Sequence, residues 1–241
     1  MSFLVPQRRP QPELLDQKDL PIREIERSLA DIRWVNRYWG GHRAADVSIF
    51  PRILARAGRQ TLLDLGAGSA DVPERLARKA ARRGISLSFC SLDLQIAHLA
   101  TARGLFGAAA GELVAGDALR LPFADGSFDW ALSAQFFHHF SPEENVRVLR
   151  EMGRVARRGV FVLDLRRHRV ARAAVMTFGP IFFRSPLTIE DARISVEQAY
   201  TIPEVVAIAR AAGLEDVDVR PAPPFRLVLS SRPANGTARE P

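Results

Sequence analysis

The stretch Thr61 to Leu76, TLLDLGAGSADVPERL, constrains this chain more than any other. An apolar run of β character, Leu62, Leu63 and Leu65, breaks into a Gly-Ala-Gly turn at Gly66, Ala67 and Gly68. A helix opens just beyond it, with Asp71 near its start. Strand, tight turn and helix in that order form the opening unit of a nucleotide-binding α/β sheet. The glycines let the chain turn sharply and let a ligand approach bare backbone, with helix amides aimed at it. A plain tight turn is the other reading of a lone Gly-x-Gly, and the later strands decide between the two.

What is missing from the turn narrows the ligand. A dinucleotide fingerprint begun at Gly66 puts its third glycine at position 71, where the helix meets a pyrophosphate, and this chain has Asp71 there. A carboxylate is repelled by a diphosphate but suits a sulfonium and an α-amino group, so the motif favours S-adenosylmethionine over NAD. Here the stretch resembles the class I methyltransferase motif, an acid followed by G-x-G-x-G. Asp64, Gly66 and Gly68 match it, and Ala70 departs from it.

The following segments keep the same order. Ser86 to Leu92 reads as a strand ending in Asp93, whose carboxylate can accept both ribose hydroxyls, with Leu94 under the adenine. A strand-end aspartate is also a common helix N-cap, and it is the upstream motif that favours the ribose. After the third strand, Glu112 to Ala115, comes GDALRLPFADGSFD; L-P-F-x-D-x-S-F-D is a signature of the same family. The resemblance implies that Asp117 and Ala118 meet the adenine and that Ser133 belongs to the cofactor site. The fourth strand, Phe128 to Ser133, delivers Gln135, Phe136, Phe137, His138, His139 and Phe140 at its carboxyl end, where open α/β sheets bind ligands. Gln135 and Phe136 are candidates to touch the acceptor. A helix over 142–155 then leads to a fifth strand that ends in Asp164, so His138 and Asp164 fall at neighbouring strand ends.

Outside this core, residues 1–19 are proline-rich and polar, and the first dozen are expected to be disordered. Ile22, Ile25, Leu29, Ile32 and Val35 share one helical face, and a second short helix is expected over 44–57. Together, residues 20–58 make an N-terminal cap. Within RWVNRYWGGHR, Arg43 can receive the cofactor carboxylate, or the phrase can simply anchor the cap. The methyltransferase domain is expected over 59–231. Its segment 166–201 carries Phe178, Ile181, Phe182, Phe183 and Leu187, too apolar for a solvated loop. It is expected to fold as a lid, with Phe178 and Phe182 in the acceptor wall. The tail from Arg232 is expected to fray.

Composition excludes little but orders the alternatives. The 241 residues suffice for one domain and an appendage, at 25% charged and 47% hydrophobic. The net charge of +7 comes almost wholly from arginine scattered through helices, which reads as compositional bias rather than a nucleic-acid stripe. Arg166, Arg167, His168, Arg169 and Arg172 can serve an acidic group or form a solvated face. The single cysteine, Cys90, sits in a strand and permits neither a disulfide framework nor a cysteine metal site, and no metal is expected. The N-terminus lacks a signal-peptide pattern, and no run is long enough to span a bilayer, which predicts a cytoplasmic protein.

From about 60 to 230 the chain resembles a class I methyltransferase. That implies an α/β, Rossmann-like seven-stranded sheet with helices on both faces and the last strand antiparallel. N-R-x-W-G-G-H-R and D-L-R-R-x-R-x-A resemble, more narrowly, small methyltransferases found with type III polyketide synthases. That likeness implies O-methylation of a phenolic or polyketide-derived acceptor, with S-adenosylhomocysteine as product. Carbon methylation of a quinone- or lipid-like acceptor, RNA methylation and a non-enzymatic adenosine-binding scaffold are the alternatives. In related enzymes the first His of such a pair is the general base and the strand-end Asp its partner. The resemblance therefore implies His138 and Asp164, with His139 as the other candidate base. A small-molecule acceptor is the expected partner, with no stable nucleic-acid partner, and oligomeric state is left open.

Overall fold

The computed structural model of the protein describes residues 5–17 and 19–233. Its strands are β1 (Arg59–Leu65), β2 (Ser86–Asp93), β3 (Glu112–Ala115), β4 (Phe128–Ala134), β5 (Ala156–Leu165), β6 (Glu215–Ala222) and β7 (Arg226–Arg232). Among the described residues they form one seven-stranded sheet in the order β3-β2-β1-β4-β5-β7-β6. β1 to β5 run parallel, while β7 is antiparallel to both β5 and β6. Strand order reverses between β1 and β4, so their carboxyl ends part to leave a crevice.

The central strands are apolar on both sides because helices cover both faces. Leu63, Leu65 and Val162 point to one face, where they meet α6 (Pro142–Val155) and α9 (Ile202–Ala211). Leu62, Leu132 and Phe161 point to the other and pack with Val72, Leu76 and Ala80 of α4 (Asp71–Ala81). α6 starts where it does because Ser141 and Glu144 cap each other: Glu144 N–H donates to Ser141 Oγ, and Ser141 N–H to the Glu144 carboxylate.

α1 (Ile22–Tyr38) buries Ile25 and Leu29, and Gly40 turns the chain at φ 91°. The second helix begins earlier than the sequence indicates and is broken: α2 (Gly41–Ala44), a π turn (Ala45–Ile49) and α3 (Phe50–Leu54). α5 (Ile96–Phe106) follows β2. The segment expected as a lid is a helical hairpin, α7 (Arg169–Phe182) and α8 (Pro186–Gln198).

The N-terminal segment corrects the expectation of a disordered first dozen residues. Residues 5–17 are laid along α8 and the turn after β4. Arg8 donates to the carbonyls of Gln198, His138 and Phe140 at 2.6, 3.0 and 2.9 Å and lies 4.3 Å above the Tyr200 ring. Asp191 accepts the backbone N–H groups of Leu14 and Leu15 at 2.7 and 2.9 Å. Arg167 is buried, and it joins this segment to α9 by donating to the Pro6 carbonyl and to Glu204. Arg172 pairs with Glu197, so these two members of the arginine cluster hold structure. Residues 1–4 and 234–241, where fraying was expected, lie outside the described residues, although Arg232 itself still belongs to β7. No helix among the described residues is long and apolar enough to cross a membrane.

Candidate active site

The crevice is lined first by the glycine turn. Gly66 has φ 64°, and a Cβ there would lie 2.1 Å from the ring of Phe136, so both the turn and the aromatic packing require glycine. Gly68, at φ 50°, points its N–H at Asp93 Oδ2, 2.9 Å away. Ala70, the residue that departs from the glycine pattern, nevertheless adopts the left-handed conformation at φ 55° and is fully buried. Holding a non-glycine residue there costs on the order of 1–3 kcal/mol.

Three carboxylates surround this turn. Asp64 is 2% exposed, and its Oδ1 has no hydrogen-bond partner among the described residues. Burial, then repulsion from Asp71 and Asp93, pushes its carboxyl well above the usual range. Asp93 accepts the N–H of Gln95 at 2.9 Å as well as that of Gly68, with His98 Nδ1 3.4 Å away. Burial opposes its charge, but His98 and the two amides outweigh that and hold its pKa below the usual value. Asp71 is held by Asn36 Nδ2 at 3.2 Å and His42 Nε2 at 2.8 Å. Asn36 in turn accepts from Gln135 Nε2 at 2.5 Å, so one chain of hydrogen bonds ties α1, the start of α4 and the end of β4 together.

The sequence-predicted residues divide. Asp64, Gly66, Ala67, Gly68, Asp93, Gln135, Phe136, His138 and His139 all line one cavity. Arg43 does not: it is exposed on the outer side of α2, one step along the helix from the inward His42. Ser133 is fully enclosed within the sheet, not at the cavity. Leu94 is 72% exposed, Asp117 is exposed with Oδ1 accepting the Leu119 N–H, and Ala118 is buried in the core. Phe178 and Phe182 also lie outside the cavity wall. Phe182 stacks on Trp34 at 5.2 Å and Phe178 meets Trp39 edge-on at 6.5 Å, which pins α7 to the cap. Their helix turns Ala171 and Val175 inward instead, and Phe183 follows at its end.

The histidine pair forms the far wall. Asp164 Oδ1 lies 2.7 Å from His138 Nδ1, and its Oδ2 accepts the His138 backbone N–H at 3.0 Å, so the expected pair is brought together. His138 Nε2, the atom a general base would present, faces Glu13 Oε1 at 3.2 Å. Burial would lower the imidazole pKa, but Asp164 and then Glu13 lift it to about 10. Glu13 is itself opposed by burial, yet His139 and His138 bring it to about 2. His138 is thus held between two carboxylates, both of which favour its charged form. His139 Nδ1 contacts Asp16 Oδ2 at 2.9 Å.

Sequence reasoning missed Glu13, Asn36, His98 and Arg226. Arg226, at the start of β7, is 2% exposed and lines the cavity, and neither of its terminal nitrogens has a partner among the described residues. Burial draws its pKa down to about 10 against the pull of Asp164 and Asp71.

A methyltransferase-domain family model matches residues 62–159, from within β1 to within β5. Residues 62–159 carry a methyltransferase domain. It is 31% identical over 135 residues to ajmaline N-methyltransferase of Rauvolfia serpentina, across 52% of this chain and 45% of that protein. It is 37% identical over 107 residues to demethylmenaquinone methyltransferase of Thermotoga maritima, across 44% and 43%. The chain thus spans less than half the length of these curated relatives. Among solved structures, the S-adenosylmethionine-dependent methyltransferase SibL has the same fold at a TM-score of 0.59 and 21% identity, covering 83% of this chain and 56% of that one. S-adenosylmethionine is the cofactor of such domains. The methyltransferase site fits it on the structure's own terms: the unpaired carboxylate of Asp64, buried among further acids, calls for a cation and repels a diphosphate.

Proposed function

We propose that this chain transfers the methyl group of S-adenosylmethionine to an oxygen of a small, largely apolar acceptor, a phenolic or polyketide-derived hydroxyl. The observation that carries this reading is one continuous cavity. It runs from Asp64 and the glycine turn, past Leu165, Val175 and Phe183, to Glu13, His138 and His139. The cofactor supplies a methyl carbon on a sulfonium, which an acceptor takes by in-line displacement.

The chain's own residues divide the remaining work. Asp64 takes the α-ammonium and Asp93 the ribose hydroxyls. Leu94 and Asp117, exposed and outside the cavity, take the adenine together with the backbone amide of Ala118, whose side chain stays in the core. The apolar stretch under α7 and α8 orients the acceptor and keeps water from it. The wall of Glu13, His138 and His139 receives the hydroxyl end and provides for loss of its proton.

Carbon methylation of a quinone- or lipid-like acceptor is the second reading. It is supported by the likeness to demethylmenaquinone methyltransferase, and a hydroquinone would bring a hydroxyl to the same wall. Radiolabelled methyl donor with a panel of phenols, polyketide aromatics and hydroquinones tests both readings. NMR of the product separates an O-methyl from a C-methyl group. Absence of transfer to every class, from protein that binds S-adenosylhomocysteine, would remove the small-molecule reading.

A further inference from the structure

The far wall brings together three metal-ligand atoms from two remote segments. Glu13 comes from the N-terminal segment; His138 and His139 come from the single turn after β4, Phe137–His139. The Glu13 carboxylate lies 3.2 Å from His138 Nε2 and 3.7 Å from His139 Nε2, and the three ligand atoms all fall within 4.8 Å of one another. Donors bound about 2.0–2.2 Å from one tetrahedral ion stand roughly 3.3–3.5 Å apart. The two separations to Glu13, made through its Oε1 and its Oε2, are thus close to those of a coordination shell, and an ion would draw the three ligands together from within 4.8 Å.

Both imidazoles are also oriented as ligands are. His138 Nδ1 is anchored on Asp164 at 2.7 Å and His139 Nδ1 on Asp16 at 2.9 Å. A carboxylate on the far nitrogen fixes the tautomer, turns the Nε2 lone pair toward the shared point and makes it more basic. Two independent carboxylate–histidine pairs converging on one further carboxylate go beyond what a structural ion pair needs. Among the described residues, the ion pairs of Glu13, Asp16 and Asp164 are to these imidazoles alone. Glu13, Asp16, His138 and His139 all line the cavity, so a fourth position on the ion would open toward the acceptor.

We propose that Glu13, His138 and His139 bind a divalent transition-metal ion. Two imidazoles and a carboxylate with one open position are the ligand set of catalytic zinc. The proposal rests on the reading above only for what the ion does. An acceptor hydroxyl bound at the open position gives its proton to solvent and becomes an oxyanion. That oxygen forms the bond to the methyl carbon as the carbon–sulfur bond breaks, and the bonding pair stays on sulfur as a thioether. The charge of the ion does not change. His138 Nε2 is then a ligand, so the ion replaces His138 as the means of deprotonation. Glu13 also becomes the group through which metal binding fastens the N-terminal segment.

The test uses the full chain made without a histidine tag. Zinc content is measured by mass spectrometry, followed by stripping with chelator and titration with zinc or cobalt alone. One equivalent of zinc per chain, a tetrahedral cobalt spectrum and a raised melting temperature are expected. All three should be lost in His139→Gln and in Glu13→Gln. S-adenosylhomocysteine binding reports folding, and His139→Gln should keep it within a fewfold. No stoichiometric metal in folded protein, or equal metal binding by both variants, overturns the proposal. So does methyl transfer undiminished by chelator, which leaves the methyltransferase reading standing. Stoichiometric zinc at these ligands with no transfer to any acceptor class upholds the metal site and removes that reading instead.

Discussion

Glu13 Oε1 lies 3.2 Å from Nε2 of His138, a residue 125 positions further along the chain. The same oxygen accepts from Ser195 Oγ at 2.5 Å and Gln198 Nε2 at 3.0 Å, so one buried carboxylate satisfies groups from α8 and from the turn after β4. Removing it leaves those groups buried without their acceptor. Glu13→Ala should destabilise the fold by about 3–5 kcal/mol, the cost typical of breaking a buried charged pair. Urea unfolding measures this, and a midpoint equal to the parent's would mean that the segment is not docked in solution.

A second prediction concerns Asp64 and pH. Its carboxyl is raised well above the usual range, so below that raised pKa the ligand-free protein carries a proton that an incoming ammonium must expel. Affinity for S-adenosylhomocysteine should therefore weaken as pH falls, by up to about tenfold per unit, and level off above the raised pKa. Methylthioadenosine, which lacks the ammonium, should not show that slope, and Asp64→Asn should flatten it for the full ligand. Calorimetry between about pH 5 and pH 8 covers the range of interest. An identical slope in Asp64→Asn assigns the proton to another group.

Asp93 should act differently, because its carboxylate is held charged by His98 and two backbone amides. Losing a charged partner for the ribose hydroxyls costs roughly 1.5–3 kcal/mol, about ten- to a hundredfold in affinity. Asp93→Ala should show that loss by calorimetry with S-adenosylhomocysteine. An unchanged dissociation constant in folded protein contradicts the ribose assignment.

The sheet and the glycine-turn end of the cavity, with Asp64 and Asp93, were legible because their signals are local. A β run, a Gly-x-Gly turn and an acid at the next strand end each fix a backbone geometry within a few residues, and the strand order then places His138 beside Asp164. Glu13 was not legible. Its segment is polar and proline-rich, and what orders it is distant: Asp191, Gln198 and the carbonyl groups that Arg8 reaches. Arg43 was misplaced because a one-residue step on a short helix exchanges the inner face for solvent, and His42 holds the inner position. Phe178 and Phe182 were expected in the acceptor wall, but both stay nearly half exposed and meet Trp39 and Trp34 of the cap instead. Which stripe of α7 faces the cavity is settled only by that packing.

That stripe gives a steric prediction. Val175 lines the cavity whereas Phe178 is 45% exposed outside it. Val175→Trp should fill the acceptor compartment and lower turnover at least tenfold, with S-adenosylhomocysteine affinity changed less than fewfold, since an overpacked wall costs about 1–3 kcal/mol locally. Phe178→Ala should leave the KM for acceptor nearly as it was. If the effects are reversed, the acceptor binds on the outer face of α7.

The last prediction separates positioning from chemistry at the far wall. His138 touches the cavity, while Asp164 acts through it, by a 2.7 Å contact to Nδ1 and an acceptor role toward two backbone amides, those of His138 and Leu165. Losing the group through which an acceptor's proton is removed, whether as base or as ligand to the ion, typically costs about 10²–10⁴ in rate. His138→Ala should therefore fall at least a hundredfold in turnover on the true acceptor. Its affinity for S-adenosylhomocysteine should stay within a fewfold, because Asp64, Asp93 and the glycine turn are untouched. Asp164→Asn keeps the shape and the acceptor oxygen for one amide but no longer fixes the imidazole tautomer or its basicity. Its loss should be smaller, about 10–100-fold, as for second-layer partners of a ligating histidine. Its pH–rate profile should also shift, which a purely structural defect would not produce. Steady-state kinetics across pH on both variants, with melting temperatures as the control for folding, make the comparison. Should His138→Ala retain most of its turnover, proximity and desolvation in the cavity drive the transfer, and the histidine wall serves the fold alone.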